Sequence, residues 1–124
     1  MIKKLPDAEF EVMKVVWANE APISSNTIME QLGSEKKWKA RQTAISLLLR
    51  LVERGFLRTE KIGKEREYYP LVAKEEYLNF ETQNFLTFYH ENSFASFVST
   101  LCGNADISEK DMEEIIKIVK ERGK

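Results

Sequence analysis

Cysteine and histidine each occur once, as Cys102 and His90. One cysteine forms no intramolecular disulfide, and one histidine with one cysteine makes no metal-ligand cluster, so neither a metal nor a cofactor is expected. Cys102 reads as a small buried apolar residue and His90 as a helix-end residue. No Gly-rich phosphate loop, nucleophile elbow or triad stands in the sequence, which leaves an enzymatic reading without support. No apolar run reaches the ~18–20 residues of a membrane span. The first ten residues, MIKKLPDAEF, carry two lysines but no apolar stretch after them, unlike a signal peptide. A cytoplasmic location without membrane insertion is the expectation.

Net charge is also nearly absent, at −1 over 124 residues, but it is unevenly spread. Residues 1–72 hold 13 basic and 10 acidic side chains, whereas residues 73–124 hold 6 and 10. The basic excess concentrates between Lys36 and Arg66, where ten cations face only Glu53, Glu60 and Glu65. A local +7 inside a near-neutral chain asks for a polyanionic partner.

That charge has a shape. A helix starting near Trp38 puts Lys39, Thr43, Ser46, Arg50 and Glu53 on one side. Ala44, Ile45, Leu47, Leu48, Leu51 and Val52 fall on the other. Arg, Lys, Gln, Thr and Ser are the side chains that read base edges and grip phosphates. A basic hairpin follows, LRTEKI and EREYYPL about Gly63-Lys64, with Pro70 limiting its return strand to a sheet edge. Helix then basic hairpin is the order of a winged helix-turn-helix.

Two helices precede this stretch. Asp7 is the expected N-cap of the first, whose Phe10, Met13, Val16 and Trp17 face a core. Ser24 or Ser25 caps the second, with Ile28, Met29 and Leu32 as its apolar stripe and Gly33 at its end. Lys74 opens a different regime of three helices. They carry Tyr77, Leu78, Phe85, Phe88 and Tyr89, then Phe94, Phe97, Val98 and Leu101, then Met112, Ile115, Ile116 and Val119 behind an S-x-x-D box at Ser108–Asp111. Three short helices cannot bury such stripes alone, so this half is expected to dimerise. Its candidate interface is Phe85, Phe88, Tyr89, Phe94, Phe97, Met112, Ile115, Ile116 and Val119. The expected organisation is a mainly α chain with a small β-hairpin: a winged-helix DNA-binding domain over 1–72 and a helical dimerisation domain over 73–124.

The run from Ala8 to Trp17 resembles the AEWEVMxxxW motif of the penicillinase and methicillin-resistance repressors, the BlaI/MecI family with the copper-responsive CopY repressors as relatives. Phe10 replaces the usual Trp. Thr43 to Gly55 resembles the family's TxxTLLxRLxxKG, with Ser46 for the second Thr. The likeness extends over essentially the whole chain. It implies a homodimeric transcriptional repressor on a palindromic operator of a resistance or stress operon. It also implies inactivation by cleavage in the dimerisation domain through a membrane sensor protease pathway. The cleaved bond aligns at Thr100-Leu101, where the family's Asn-Phe is absent. The segment WKARQT is one residue longer than the family's Trp-to-Thr spacing, and the cysteine cluster of the copper-type relatives is missing.

The expected mechanism places two copies of the helix 39–54 in successive major grooves of duplex DNA. Arg41, Gln42, Thr43 and Ser46 are the candidates for base contacts. Lys39 and Arg50, and Lys61, Lys64 and Arg66 on the wing, are the candidates for backbone contacts. The competing reading is a winged-helix protein-interaction module that binds no DNA.

Overall fold

A computed structural model of the chain describes residues 2–33, 41–104 and 106–122. Its elements run α1 (Asp7–Trp17), β1 (Ile23–Ser24), α2 (Ser25–Gly33), α3 (Arg41–Glu53), β2 (Leu57–Ile62), β3 (Glu65–Pro70), α4 (Lys74–His90), α5 (Phe94–Asn104) and α6 (Glu109–Arg122). They form two compact units, 1–81 and 82–124.

In the first unit α1, α2 and α3 surround one core with the sheet. Val12, Met13 and Val16 of α1, Ile28 and Leu32 of α2, and Ala44, Leu47, Leu48 and Leu51 of α3 are buried in it, with Phe56 and Leu57. α1 starts one residue earlier than Asp7 as cap would require. Pro6 holds the cap position, and its carbonyl accepts the first helical bond from Phe10 N at 3.0 Å. Proline's fixed φ suits that position, and Asp7 is left inside the first turn, where its charge still complements the positive end of the helix dipole. Ser24 caps α2, accepting from Thr27 N at 3.1 Å. α3 ends in a Schellman motif. Phe56 N bonds Leu51 O at 2.9 Å, Gly55 N bonds Val52 O at 3.1 Å, and Gly55 takes φ +84°.

The sheet has three antiparallel strands in the order β1-β3-β2. This corrects the edge assignment of the return strand: β3 is central. Ile23 and Ser24 pair with Tyr68 and Glu67, so Pro70 lies beyond the β1 ladder and has only Leu57 beside it. Its missing N–H therefore costs no ladder bond on that side. A two-residue strand such as β1 carries no periodicity by which a sequence could announce it.

The first turns of α4 belong to this unit, so the compact unit reaches Glu81 rather than ending at residue 72. The cause is Tyr77. Its ring meets Phe56 at 5.6 Å, Phe10 at 5.7 Å, Trp17 at 6.0 Å and Phe80 at 6.3 Å. Its hydroxyl accepts from Leu5 N at 2.8 Å and donates to Glu81 Oε2 at 3.2 Å. Burial pushes the hydroxyl's pKa up, partly offset by the Leu5 amide. Trp17 is structural too, its indole N–H donating to Val72 O at 2.9 Å.

The second unit has the rest of α4, then α5 and α6. Glu91 and Asn92, both at positive φ, end α4 just past His90. Ser93 caps α5 through Ser96 N at 3.1 Å, and Ser108 caps α6 through Asp111 N at 3.1 Å. His90 Nδ1 sits 2.9 Å from Ser96 Oγ, and its ring packs 5.6 Å from Phe97. Cys102 is exposed, which corrects its assignment as a buried apolar residue. The reason is general to the unit: among the described residues from 82 to 122, none is buried. No described helix is long and apolar enough to cross a membrane.

One buried charge holds this architecture. Glu9 of α1 is 1% exposed and receives Arg54 Nε at 2.6 Å and Nη2 at 3.4 Å. Arg54 follows the last residue of α3, so the pair clamps that helix end onto α1. Arg54→Ala would strand the carboxylate in the core. Because the Arg54 side chain is 37% exposed, water screens part of the pair, and the loss is about 2 kcal/mol, less than the 3–5 of a fully buried pair. Urea unfolding of the variant measures it.

Candidate nucleic-acid interface

α3 divides sharply between core and solvent. Ala44, Leu47, Leu48 and Leu51 face inward, while Gln42, Thr43, Ser46, Arg50 and Glu53 are exposed. Four of the residues expected to meet DNA on this helix thus share its open face. Arg41 is the first residue of α3. Lys39 and the expected helix start near Trp38 lie outside the described residues. One face assignment changes: Ile45, expected among the buried residues, is 46% exposed, and Leu49 is 58% exposed. Hydrophobicity alone put Ile45 inside. In the helix it lies beyond the arc that touches α1 and the sheet.

The wing is a two-residue hairpin. Ile62 pairs with Glu65 across Gly63-Lys64, and Gly63 takes φ +62°. Of the two turn residues only the first has positive φ, the requirement of a II′ turn that glycine meets. Residues directly paired across strands share a face, which makes the wing two-sided. Lys61 lies opposite Arg66, on the face that includes Leu57 and Tyr68 at the base. Arg58 lies opposite Tyr69 and Glu60 opposite Glu67, on the other face. Arg58 is occupied there, stacked 3.9 Å over the Tyr69 ring and bonded to Glu60 at 2.6 Å. Lys61, Lys64 and Arg66 are exposed and enter no ion pair among the described residues. The three wing cations singled out in the sequence are therefore the uncommitted ones, on one face and the tip.

Two contacts tie the wing to α2 and β1. β1 pairs with β3, and α2 follows β1 directly. Asn26 of α2 hydrogen-bonds Glu65 beside the turn. A cleft lined by Lys3, Arg50, Glu53 and Arg54 continues the basic surface past the end of α3. Lys3 was not foreseen, because it is far in sequence from the basic stretch. Leu5 brings it there, being buried and bonded to Tyr77. Glu9, Asn26 and Glu65 were likewise missed, since a single carboxylate or amide carries no sequence signal of its distant partner. Among the described residues no group of three or more His, Cys, Asp or Glu gathers as for a metal ion.

An exposed polar helix face beside a one-sided basic wing is a surface for a polyanion with grooves. Comparison with known proteins leads to the same place. Residues 5–121 match the family model described as Penicillinase repressor. The penicillinase repressor of Bacillus licheniformis is 30% identical over 123 residues, covering 97% of this chain and 94% of that protein. The methicillin resistance regulatory protein MecI of Staphylococcus aureus (strain N315) is 29% identical over 119 residues, covering 96% and 95%. The solution structure of the DNA-binding domain of the repressor BlaI matches at a TM-score of 0.53 and 34% identity, over 60% of this chain and 88% of that one. The monomeric form of Bacillus licheniformis BlaI, in complex with the blaP half-operator, matches at 0.52 and 34%, over 62% and 92%. The chain belongs to the penicillinase repressor family.

Proposed function

We propose that this protein is a transcriptional repressor that binds a two-fold symmetric DNA operator as a homodimer. The observation that carries the reading is the pairing of an exposed α3 face with a wing whose free cations share one side. The likeness to BlaI solved on a half-operator supports it. Gln42, Thr43 and Ser46 read base edges in the major groove, joined by Arg41. Arg50 and, on the wing, Lys61, Lys64 and Arg66 hold phosphates. The acids Glu60 and Glu67 keep the other wing face turned away from the duplex. Repression follows from occlusion of the promoter. The names of the relatives point to a resistance operon as the target.

Dimerisation through residues 82–124 is supported by what that unit leaves uncovered. Phe88 is 78% exposed and Tyr89 62%. Phe85, Phe94, Met112, Ile115, Ile116 and Val119 are also exposed, with Phe97 partly so. Apolar stripes on three consecutive helices, with none of the described residues from 82 to 122 buried, mark an interface between copies. A two-fold axis then sets two α3 helices about one DNA turn apart. Thr100 and Leu101 are exposed on α5, and a cut between them would detach α6 from that interface. A membrane sensor protease pathway is the matching partner.

The helix and the wing separate by experiment. Lys64→Ala or Arg66→Ala should weaken binding to all duplexes alike and lower the salt slope by about 1 per lost phosphate. Gln42→Ala or Thr43→Ala should relax sequence preference, at about 1–3 kcal/mol for a lost base contact. Fluorescence anisotropy across a salt series distinguishes them, and unchanged binding in both classes would overturn the interface. For the dimer, Ile115→Glu with Ile116→Glu should give monomers by sedimentation, with operator affinity reduced at least a hundredfold. A variant that remains dimeric would place the interface elsewhere.

A further inference from the structure

The open face of α3 is not wholly polar. Ile45 and Leu49, at 46% and 58% exposure, stand four residues apart and therefore one above the other on the same side. Ser46 and Glu53 adjoin Leu49 at i−3 and i+4, and Gln42 adjoins Ile45 at i−3. The apolar pair thus borders the hydrogen-bonding face along one edge, Leu49 beside Gln42 and Glu53, and Ile45 between Gln42 and the half-buried Val52. A single exposed leucine needs no explanation. Two in register, among the residues placed against DNA, form a contact surface.

The chemistry of the major groove names the partner. Its base edges present acceptors, donors and one apolar group, the C5-methyl of thymine. We infer that Ile45 and Leu49 read thymine methyl groups, adding an apolar specificity element to the polar contacts of Gln42, Thr43 and Ser46. This rests on the DNA-binding reading and is continuous with that interface. The flanking Arg50, exposed on the same helix, supplies the attraction that brings the groove close enough for methyl contact. About half of each side chain stays in water in the free protein, and a methyl that covers it removes that surface from solvent.

The test removes the methyl from the DNA rather than the fold from the protein. Duplexes are selected from a random pool with the full chain, and each thymine is then replaced in turn by deoxyuridine. Wild type should lose about fourfold in affinity per contacted methyl, the factor expected for burying one carbon. Uridine elsewhere in the site should have no effect. Leu49→Ala and Ile45→Ala should bind thymine and uridine duplexes equally at the matching positions. Both are solvent-facing helix positions where alanine is a good helix former. Equal binding of thymine and uridine duplexes by wild type at every position would overturn the inference and leave the DNA-binding reading standing. Variants that weaken both duplexes by the same factor would also overturn it, because the side chains would then touch something other than the methyl. Failure to select any duplex would remove both readings.

Discussion

Arg54 and Glu9 meet where α3 ends against α1, and the working surface depends on that junction. α3 gives only one side to the core, where Ala44, Leu47, Leu48 and Leu51 set its rotation, and the ion pair pins its end to α1. Gly55 turns the chain out of the helix in the left-handed conformation, and Phe56 then enters the core. The wing begins one residue later, at Leu57. A single corner therefore sets both the rotation of the helix face and the start of the hairpin. The buried carboxylate is tolerated because Arg54 answers it with two hydrogen bonds.

The wing shows how a small sheet sorts its charges. Strand alternation sends Lys61 and Arg66 to one side, and Glu60, Glu67 and Arg58 to the other. Arg58 is drawn into a stack on Tyr69 and a bond to Glu60, which leaves the free cations on one side and at the tip. Composition alone, which counts all basic residues in the stretch equally, overstates the number available to a phosphate backbone. Asn26 and the two-residue strand β1 tie this hairpin to α2, so the wing is not a loose appendage.

Much of this was legible in the sequence. The apolar spacing of α1 to α3, the glycine after α3, the Gly63-Lys64 turn and the serine caps of α2 and α6 each follow from a local rule. What escaped was non-local or depended on what faces a side chain. Pro70 looked like an edge marker because nothing announced Ile23 and Ser24 as a third strand. Asp7 yielded the cap to Pro6 because the first helical bond falls on the proline carbonyl. The first compact unit runs past residue 72 because Tyr77 packs with Phe10, Trp17 and Phe56. Ile45 and Cys102 were assigned to the interior because hydrophobicity says that a side chain avoids water, not which surface covers it.

The two halves have complementary needs in this account. The first holds a complete core and exposes a polar, basic face; the second exposes its apolar stripes and has no buried residue among those described. In the proposed dimer a second copy would cover the latter and double the former at a fixed spacing. Hydroxyl-radical footprinting of the full chain on a selected duplex tests this most directly. Two equivalent protected patches centred about 10 base pairs apart are expected, appearing together as protein is added. A single protected patch at full affinity, or two that fill independently, would contradict it.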